Sequence, residues 1–188
     1  LNEVMGLKTD EFYSSYAEDK VLADRMAWID RQFKIDDPLL ITAMGSITEG
    51  AILYSNFAFL KHFQAEGKNK LMNMTAGINF SVRDENLHSE AGAWLFKTLR
   101  DELKPSEKEY ARIVKKIQNT CAQVLEHESR IIDMIFEKGN IKGITDTQMK
   151  NFIMSRLNFC LNQLDIAPMF TVEYDPISQW FYKNINSG

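Results

Sequence analysis

Glu85 and His88 stand three residues apart in the run Glu85-Asn86-Leu87-His88. On a helix that spacing leaves the two side chains about 60° apart, so both heads can reach one point. A carboxylate and an imidazole meeting there can hold a divalent cation. Hard oxygens with one nitrogen suit iron or manganese and leave positions open for oxygen. Glu-x-x-His is also the pattern by which helical bundles build carboxylate-bridged dinuclear sites. Two fixed letters are a weak signal by themselves, since most chance matches are surface pairs. Glu49 adds to it. Its helix face holds Thr42, Gly45, Leu53, Phe57 and Leu60, so the carboxylate projects from an otherwise uncharged stripe. A buried carboxylate without a partner is costly, and it neutralises, pairs or binds metal. A protonated or hydrogen-bonded core glutamate is the competing reading of Glu49 alone. Together the three residues are a stronger signal than either part.

The elements that must position them are helices. Residues 10–34 read as one helix, with Phe12, Tyr16, Val21, Leu22, Met26, Ile29 and Phe33 recurring near a spacing of 3.6. Asp36-Asp37-Pro38 stops it and starts the next, because proline fits a first turn and disfavours helix before it. From Pro38 to about Glu66 the chain reads as a second helix, uncharged through Leu60 except at Glu49, and such a helix belongs in a core. Gly67 ends it, and a long helix runs from about Asn69 to Leu103. Two antiparallel helices joined near Gly67 can bring Glu49 level with Glu85 and His88. Ser106 with Glu109, and Thr145 with Gln148, have capping-box spacing and open two more helices. The first carries Ile113, Ile117, Cys121, Val124, Ile131 and Ile135, and the second Met149, Phe152, Ile153, Leu157, Cys160, Leu161 and Leu164. Asp175-Pro176 opens a short final segment around Trp180 and Phe181. With no alternating strand pattern, repeat or linker, the expectation is an all-α bundle in a single domain over 1–188.

Composition narrows the function classes. The 188 residues are 45% hydrophobic and 26% charged, with 22 Lys+Arg against 26 Asp+Glu for a net charge of −4. That balance argues against a nucleic-acid binder. The longest uncharged stretches, such as 38–48 and 50–60, are about half the roughly 20 residues a membrane span needs. Two cysteines without a CxxC pair argue against a disulfide framework or zinc ribbon and point to a reducing, cytoplasmic setting. No signal peptide is visible, and a first residue of Leu1 rather than Met suggests a chain that starts mid-protein.

The run Glu49-Gly50-Ala51-Ile52-Leu53-Tyr54-Ser55-Asn56-Phe57-Ala58, followed by Arg83-Asp84-Glu85-Asn86-Leu87-His88, resembles the small, radical-generating subunit of class I ribonucleotide reductase. Asp175-Pro176 with Trp180 resembles that family's closing Asn-Pro…Trp stretch, so the resemblance covers essentially the whole chain. It implies a ferritin-like bundle and an oxidoreductase subunit serving deoxyribonucleotide biosynthesis and hence DNA replication. It also implies a dinuclear iron centre, or a manganese one, with Glu49, Glu85 and His88 as three of six metal ligands. Asp84 matches the aspartate that orients a ligand histidine on the radical-transfer route, and Leu53 and Phe57 match apolar shields. The implied partners are the large subunit and a second copy in a homodimer.

The departures matter as much. The family's upstream Asp, its other Glu-x-x-His and the radical-bearing Tyr after it have no counterpart here, so Tyr13 and Tyr16 inherit no role. Only eight residues follow Trp180, where the family continues into a tail that docks the large subunit. The expectation is therefore the C-terminal portion of a small subunit, incomplete at the N-terminus and without that tail. By itself it should be inactive and hold no metal or one weakly held ion. A non-catalytic helical remnant, or a split subunit completed by another chain, are the alternatives.

Other polar and aromatic residues read as structural. Glu128 and Arg156 fall on apolar stripes and are expected to pair with each other in the core. His62 with Glu66 reads as a solvated pair, and His127 as partly exposed. Cys121, Cys160, Trp28, Trp94, Met72 and Met74 read as packing residues.

Overall fold

The computed structural model describes residue 3 and residues 5–183, apart from the Glu66 side chain. The chain divides into two compact units, Leu1–Ile35 and Asp36–Gly188.

The first unit holds α1 (Asp10–Ser14), a 3-10 turn at Ser15–Ala17 and α2 (Lys20–Gln32). The continuous helix expected over 10–34 is thus interrupted. Asp19 is the cause: it is extended (ψ 115) and its carboxylate accepts from the Val21 and Leu22 N–H groups. An aspartate gains more by satisfying two orphan donors at a helix start than by lying inside one. Tyr13 and Tyr16 are exposed.

The second unit contains α3 (Pro38–Ala51), α4 (Tyr54–Lys61), α5 (Met72–Leu103), α6 (Glu107–Phe136), α7 (Asp146–Gln163) and α8 (Pro176–Phe181). Asp37 caps α3 with Pro38 in its first turn, and both expected capping boxes form, at Ser106–Glu109 and Thr145–Gln148. The helix expected from Pro38 to Glu66 is instead two. Ile52 is extended (ψ 140) and Leu53 is left-handed (φ 78). A non-glycine residue there costs about 1–2 kcal/mol. Burial offsets it: Tyr54, Ser55 and Ala58 are fully enclosed just after the break.

α3 and α5 run antiparallel in close contact. Ser46 Oγ donates to the Ser89 carbonyl and Ser89 Oγ donates to the Ser46 carbonyl, both at 2.9 Å. Small residues permit this approach. A Cβ on Gly50 would lie 2.5 Å from both Cys160 Sγ and Ser89 Oγ, and one on Gly92 would lie 3.0 Å from the Ser46 nitrogen. Against this pair pack the apolar stripes of α6 and α7, with Ile113, Ile117, Cys121, Val124 and Ile131 facing Phe152, Ile153, Leu157 and Cys160, all buried. α8 closes one end, where Phe181 lies 4.8 Å from Phe152 and 5.8 Å from Tyr54 between ring centroids. Among the described residues the sole β feature is an isolated bridge, Ile141 with Ile144. The protein is all-α, and none of the described helices is long and apolar enough to cross a membrane.

Three packing expectations are corrected. Trp94 and Met72 are exposed, because α5 turns those positions away from α3 and α7. His62 is buried rather than solvated: its ring stacks 4.1 Å from Phe63, and its Nδ1 meets the Phe59 carbonyl. Its expected partner, the Glu66 side chain, lies outside the described residues.

Candidate metal centre

Glu49 comes from the last turn of α3, and Glu85 and His88 from successive turns in the middle of α5. The antiparallel contact sets these turns side by side. One ligand atom from each of the three side chains lies within 4.8 Å of the other two. His88 Nδ1 is 3.4 Å from Glu85 Oε2 and 3.8 Å from Glu49 Oε2. The cluster sits at the edge of the bundle, with 60% of the His88 side chain and 41% of the Glu49 side chain exposed, against 24% for Glu85.

Two carboxylates so close cannot both be ionised cheaply. The Glu49 carboxyl is pushed up to about 7, first by its hydrogen bond with Glu85, then by partial burial and the Glu85 charge, while His88 acts the other way. Near neutral pH the Glu49 carboxyl therefore still holds its proton part of the time. A divalent cation can replace that proton and satisfy both carboxylates and the imidazole at once. The donor set of hard oxygens and one nitrogen fits iron or manganese.

Arg156 supports the site from below. Its Nε donates to the Gly50 carbonyl at 2.9 Å, its Nη2 to Asn86 Oδ1 at 3.1 Å and its Nη1 to Tyr182 Oη at 2.9 Å. Gly50 follows Glu49 and Asn86 follows Glu85, so one guanidinium ties down the backbone beside one candidate ligand and the side chain beside another. The break after Ala51 explains the first bond, because carbonyls in the last turn of α3 lack helical partners and favour a cation. Tyr54 completes the tie by donating to Asn86 Oδ1 at 2.9 Å, with its ring 4.2 Å from the guanidinium carbon. The expected pairing of Arg156 with Glu128 does not form. Glu128 is fully buried and accepts from Ser55 Oγ, the residue that the break turns inward.

Asp84 is exposed on α5, one residue before Glu85 and outside the three-residue cluster. Phe57 is buried, whereas Leu53 is 40% exposed, because the left-handed turn takes it off the helix face it was expected to share with Glu49.

The family model for the ribonucleotide reductase small chain matches residues 2–176. The chain is 29% identical over 189 aligned positions to a ribonucleoside-diphosphate reductase subunit beta of Halalkalibacterium halodurans, covering 95% of this chain and 53% of that protein. It is 27% identical over 137 residues to a protein of Invertebrate iridescent virus 3 named for the ribonucleoside-diphosphate reductase small subunit, covering 73% of this chain and 36% of the viral one. The chain thus spans from about a third to about half the length of these relatives. Among solved structures it resembles a class I ribonucleotide reductase protein of Bacillus halodurans, with a TM-score of 0.76, 25% identity, and coverage of 90% of this chain and 55% of that one. It shares its fold with the dimanganese(II) NrdF of Streptococcus sanguinis, at a TM-score of 0.78 and 20% identity over 90% of this chain and 58% of that one. A match across nearly the whole chain, on an all-helical fold, carries one conclusion: this protein belongs to the ribonucleotide reductase small chain family.

Proposed function

We propose that the chain carries ligands of a dinuclear iron or manganese centre, as part of the small subunit of a cytoplasmic ribonucleoside-diphosphate reductase. In that reading it works with a large subunit, on which nucleotides are reduced, and forms a homodimer. The bound metal would supply the one-electron and oxygen chemistry that generates a radical. Glu49 and Glu85 hold the metal through carboxylate oxygens and His88 through a neutral imidazole nitrogen. Arg156, Asn86 and Tyr54 fix the positions of these ligands. Asp84 is proposed for radical transfer, an assignment that rests on the Arg83-Asp84-Glu85-x-x-His88 motif alone.

The observation that carries this reading is the convergence of Glu49, Glu85 and His88 within 4.8 Å in a chain of this family. Three ligands suit a single divalent ion with water completing its shell. A pair of metals needs further carboxylates and a second imidazole. Metal analysis of protein purified without chelator tests the reading. Iron or manganese should be present, and His88→Ala should remove most of it. A chain that takes up neither metal, even when both are supplied in excess, would instead be a non-catalytic helical remnant.

A further inference from the structure

Away from the candidate metal centre, a cleft of about 420 Å3 opens between the end of α4 and two turns. Its walls are His62 and Phe63 after α4, Lys68 and Lys70 from the turn before α5, and Ile141 and Lys142 from the turn between α6 and α7. Small-molecule sites occupy about 300–1,000 Å3, so the cleft is large enough to be one. None of the described residues lining it is acidic. Three lysines gathered in this way concentrate positive charge on a chain whose net charge is −4.

The backbone holds the walls in place. The Lys70 N–H donates to the Phe63 carbonyl at 2.9 Å and fastens its turn to the end of α4. Asn69 and Leu71, on either side of Lys70, are left-handed (φ 45 and 53). Asparagine tolerates that conformation, whereas leucine pays for it in strain. Lys68 Nζ donates to the Lys142 carbonyl at 3.0 Å and so bridges to the other turn. Gly143 (φ 86) permits the bridge, because a Cβ there would lie 2.7 Å from Lys68 Nζ. The Ile141–Ile144 bridge closes the turn that presents Lys142.

Aromatic rings complete the cleft. The His62 and Phe63 rings lie 4.1 Å apart, and Phe59 backs Phe63 at 5.7 Å. His62 is only 3% exposed, and its Nδ1 meets the Phe59 carbonyl, which leaves Nε2 as the ring nitrogen a ligand can reach. Rings beside several ammonium groups suit a molecule with a flat apolar end and a multiply charged anionic end. Nucleobases stack on aromatic side chains whatever the base, and lysine binds phosphate as a point charge. A nucleoside diphosphate has both ends, and its roughly three negative charges near neutral pH match three ammonium groups. A small inorganic anion leaves the rings unused, and an uncharged nucleoside leaves the lysines unused.

We propose that this cleft binds a nucleoside diphosphate, with the base against Phe63 and His62 and the phosphates among Lys68, Lys70 and Lys142. The site shares no residue with the Glu49–Glu85–His88 cluster, and the proposal does not depend on metal binding there.

The 188-residue chain, stripped of metal, is titrated calorimetrically with ADP, pyrophosphate and adenosine. About 0.15 M salt is present, so that exposed charges more than about 8 Å apart are largely screened. ADP should bind one per chain and at least about tenfold more tightly than either fragment, a difference of about 1.4 kcal/mol. Pyrophosphate binding as tightly as ADP would reduce the cleft to a patch of charge and overturn the proposal. So would a chain that binds no ADP at millimolar concentration. Lys70→Glu and Lys142→Glu, at exposed positions, should each weaken ADP at least about tenfold while helix content by circular dichroism is unchanged. Unchanged affinity in both variants would place ADP elsewhere. Phe63→Leu keeps an apolar side chain but removes the ring, so it should weaken ADP and leave pyrophosphate as it was. Equal weakening of the two would remove the base from the Phe63 ring and overturn the assignment. The unaltered chain supplies a check that needs no variant. It has three histidines, and ADP should move the ring signals of His62 in a nuclear magnetic resonance spectrum and leave those of His88 and His127 in place. Movement at His88 instead of His62 would put ADP at the metal cluster and overturn the proposal.

Discussion

Glu49 is the residue on which pH and metal should compete. Its carboxyl is raised from 4.5 to about 7, with Glu85 as the main cause. A raised carboxyl contributes stability below its unfolded pKa and loses it as pH rises through the folded value. The metal-free protein should therefore lose stability between about pH 4.5 and 7. Glu49→Gln should remove that loss. The site is partly open, so screening limits the gain at pH 8 to about 1 kcal/mol or less, a rise in Tm of about 2–4 °C at most for a chain this size. The same substitution should remove metal binding, because a neutral amide replaces an anionic ligand. Manganese affinity of the unaltered chain should fall as pH drops below about 7, where the proton returns to Glu49. Titrations at several pH values check this, and an affinity flat from pH 8 to 6 would exclude Glu49 as a ligand. The meeting of Glu49, Glu85 and His88 was legible in the sequence, because helical spacing alone brings Glu85 and His88 together and one uncharged helix isolates Glu49. The role of Arg156 was not. Its partners are a backbone carbonyl, an amide and a phenol from three separate elements, and no spacing along α7 encodes them.

Element boundaries were legible wherever a side chain satisfies a helix end. Asp37, Ser106, Thr145 and Asp175 cap helices where the sequence places their starts. The break between α3 and α4 had no such sign. Ile52-Leu53-Tyr54 contains neither Gly nor Pro, and the turn is held by what surrounds it: Tyr54 on Asn86, Ser55 on Glu128 and Arg156 on Gly50. Leu53 bears the backbone strain while 40% exposed, so Leu53→Gly should stabilise the protein by about 1 kcal/mol. Chemical denaturation would show it as a higher midpoint, and a lower midpoint would mean that Leu53 packing outweighs its strain. Arg156→Leu should act the other way. It leaves the Gly50 carbonyl and Asn86 short of a charged donor, and a loss of about 3 kcal/mol is expected. Because the cluster spans α3 and α5, that variant should also weaken metal binding, even though Arg156 touches none of the three ligands. An unchanged melting curve for Arg156→Leu would show that the tie is dispensable.

At the scale of the whole molecule, the all-α class was legible because every long segment follows the helical period, and the capping boxes agree with it. The division at Ile35 was not. Asp36-Asp37-Pro38 reads as an ordinary boundary between helices, and whether it also separates compact units depends on contacts distant in sequence. The division has a consequence for the candidate metal centre. Glu49, Glu85 and His88, the Ser46–Ser89 pair that sets their spacing, and Arg156, Asn86, Tyr54 and Tyr182 beneath them all belong to Asp36–Gly188. A chain beginning at Asp36 should therefore keep its helices and bind manganese with an affinity within about threefold of the 188-residue chain, since a factor of that size is less than 1 kcal/mol. Asp37 remains to cap α3, so the shortened chain keeps a satisfied helix start. Circular dichroism and a manganese titration on the two chains make the comparison. A shortened chain that is helical yet has lost its metal would show that residues 1–35 act on the site, and one that has lost its helices would show that they complete the fold of the second unit.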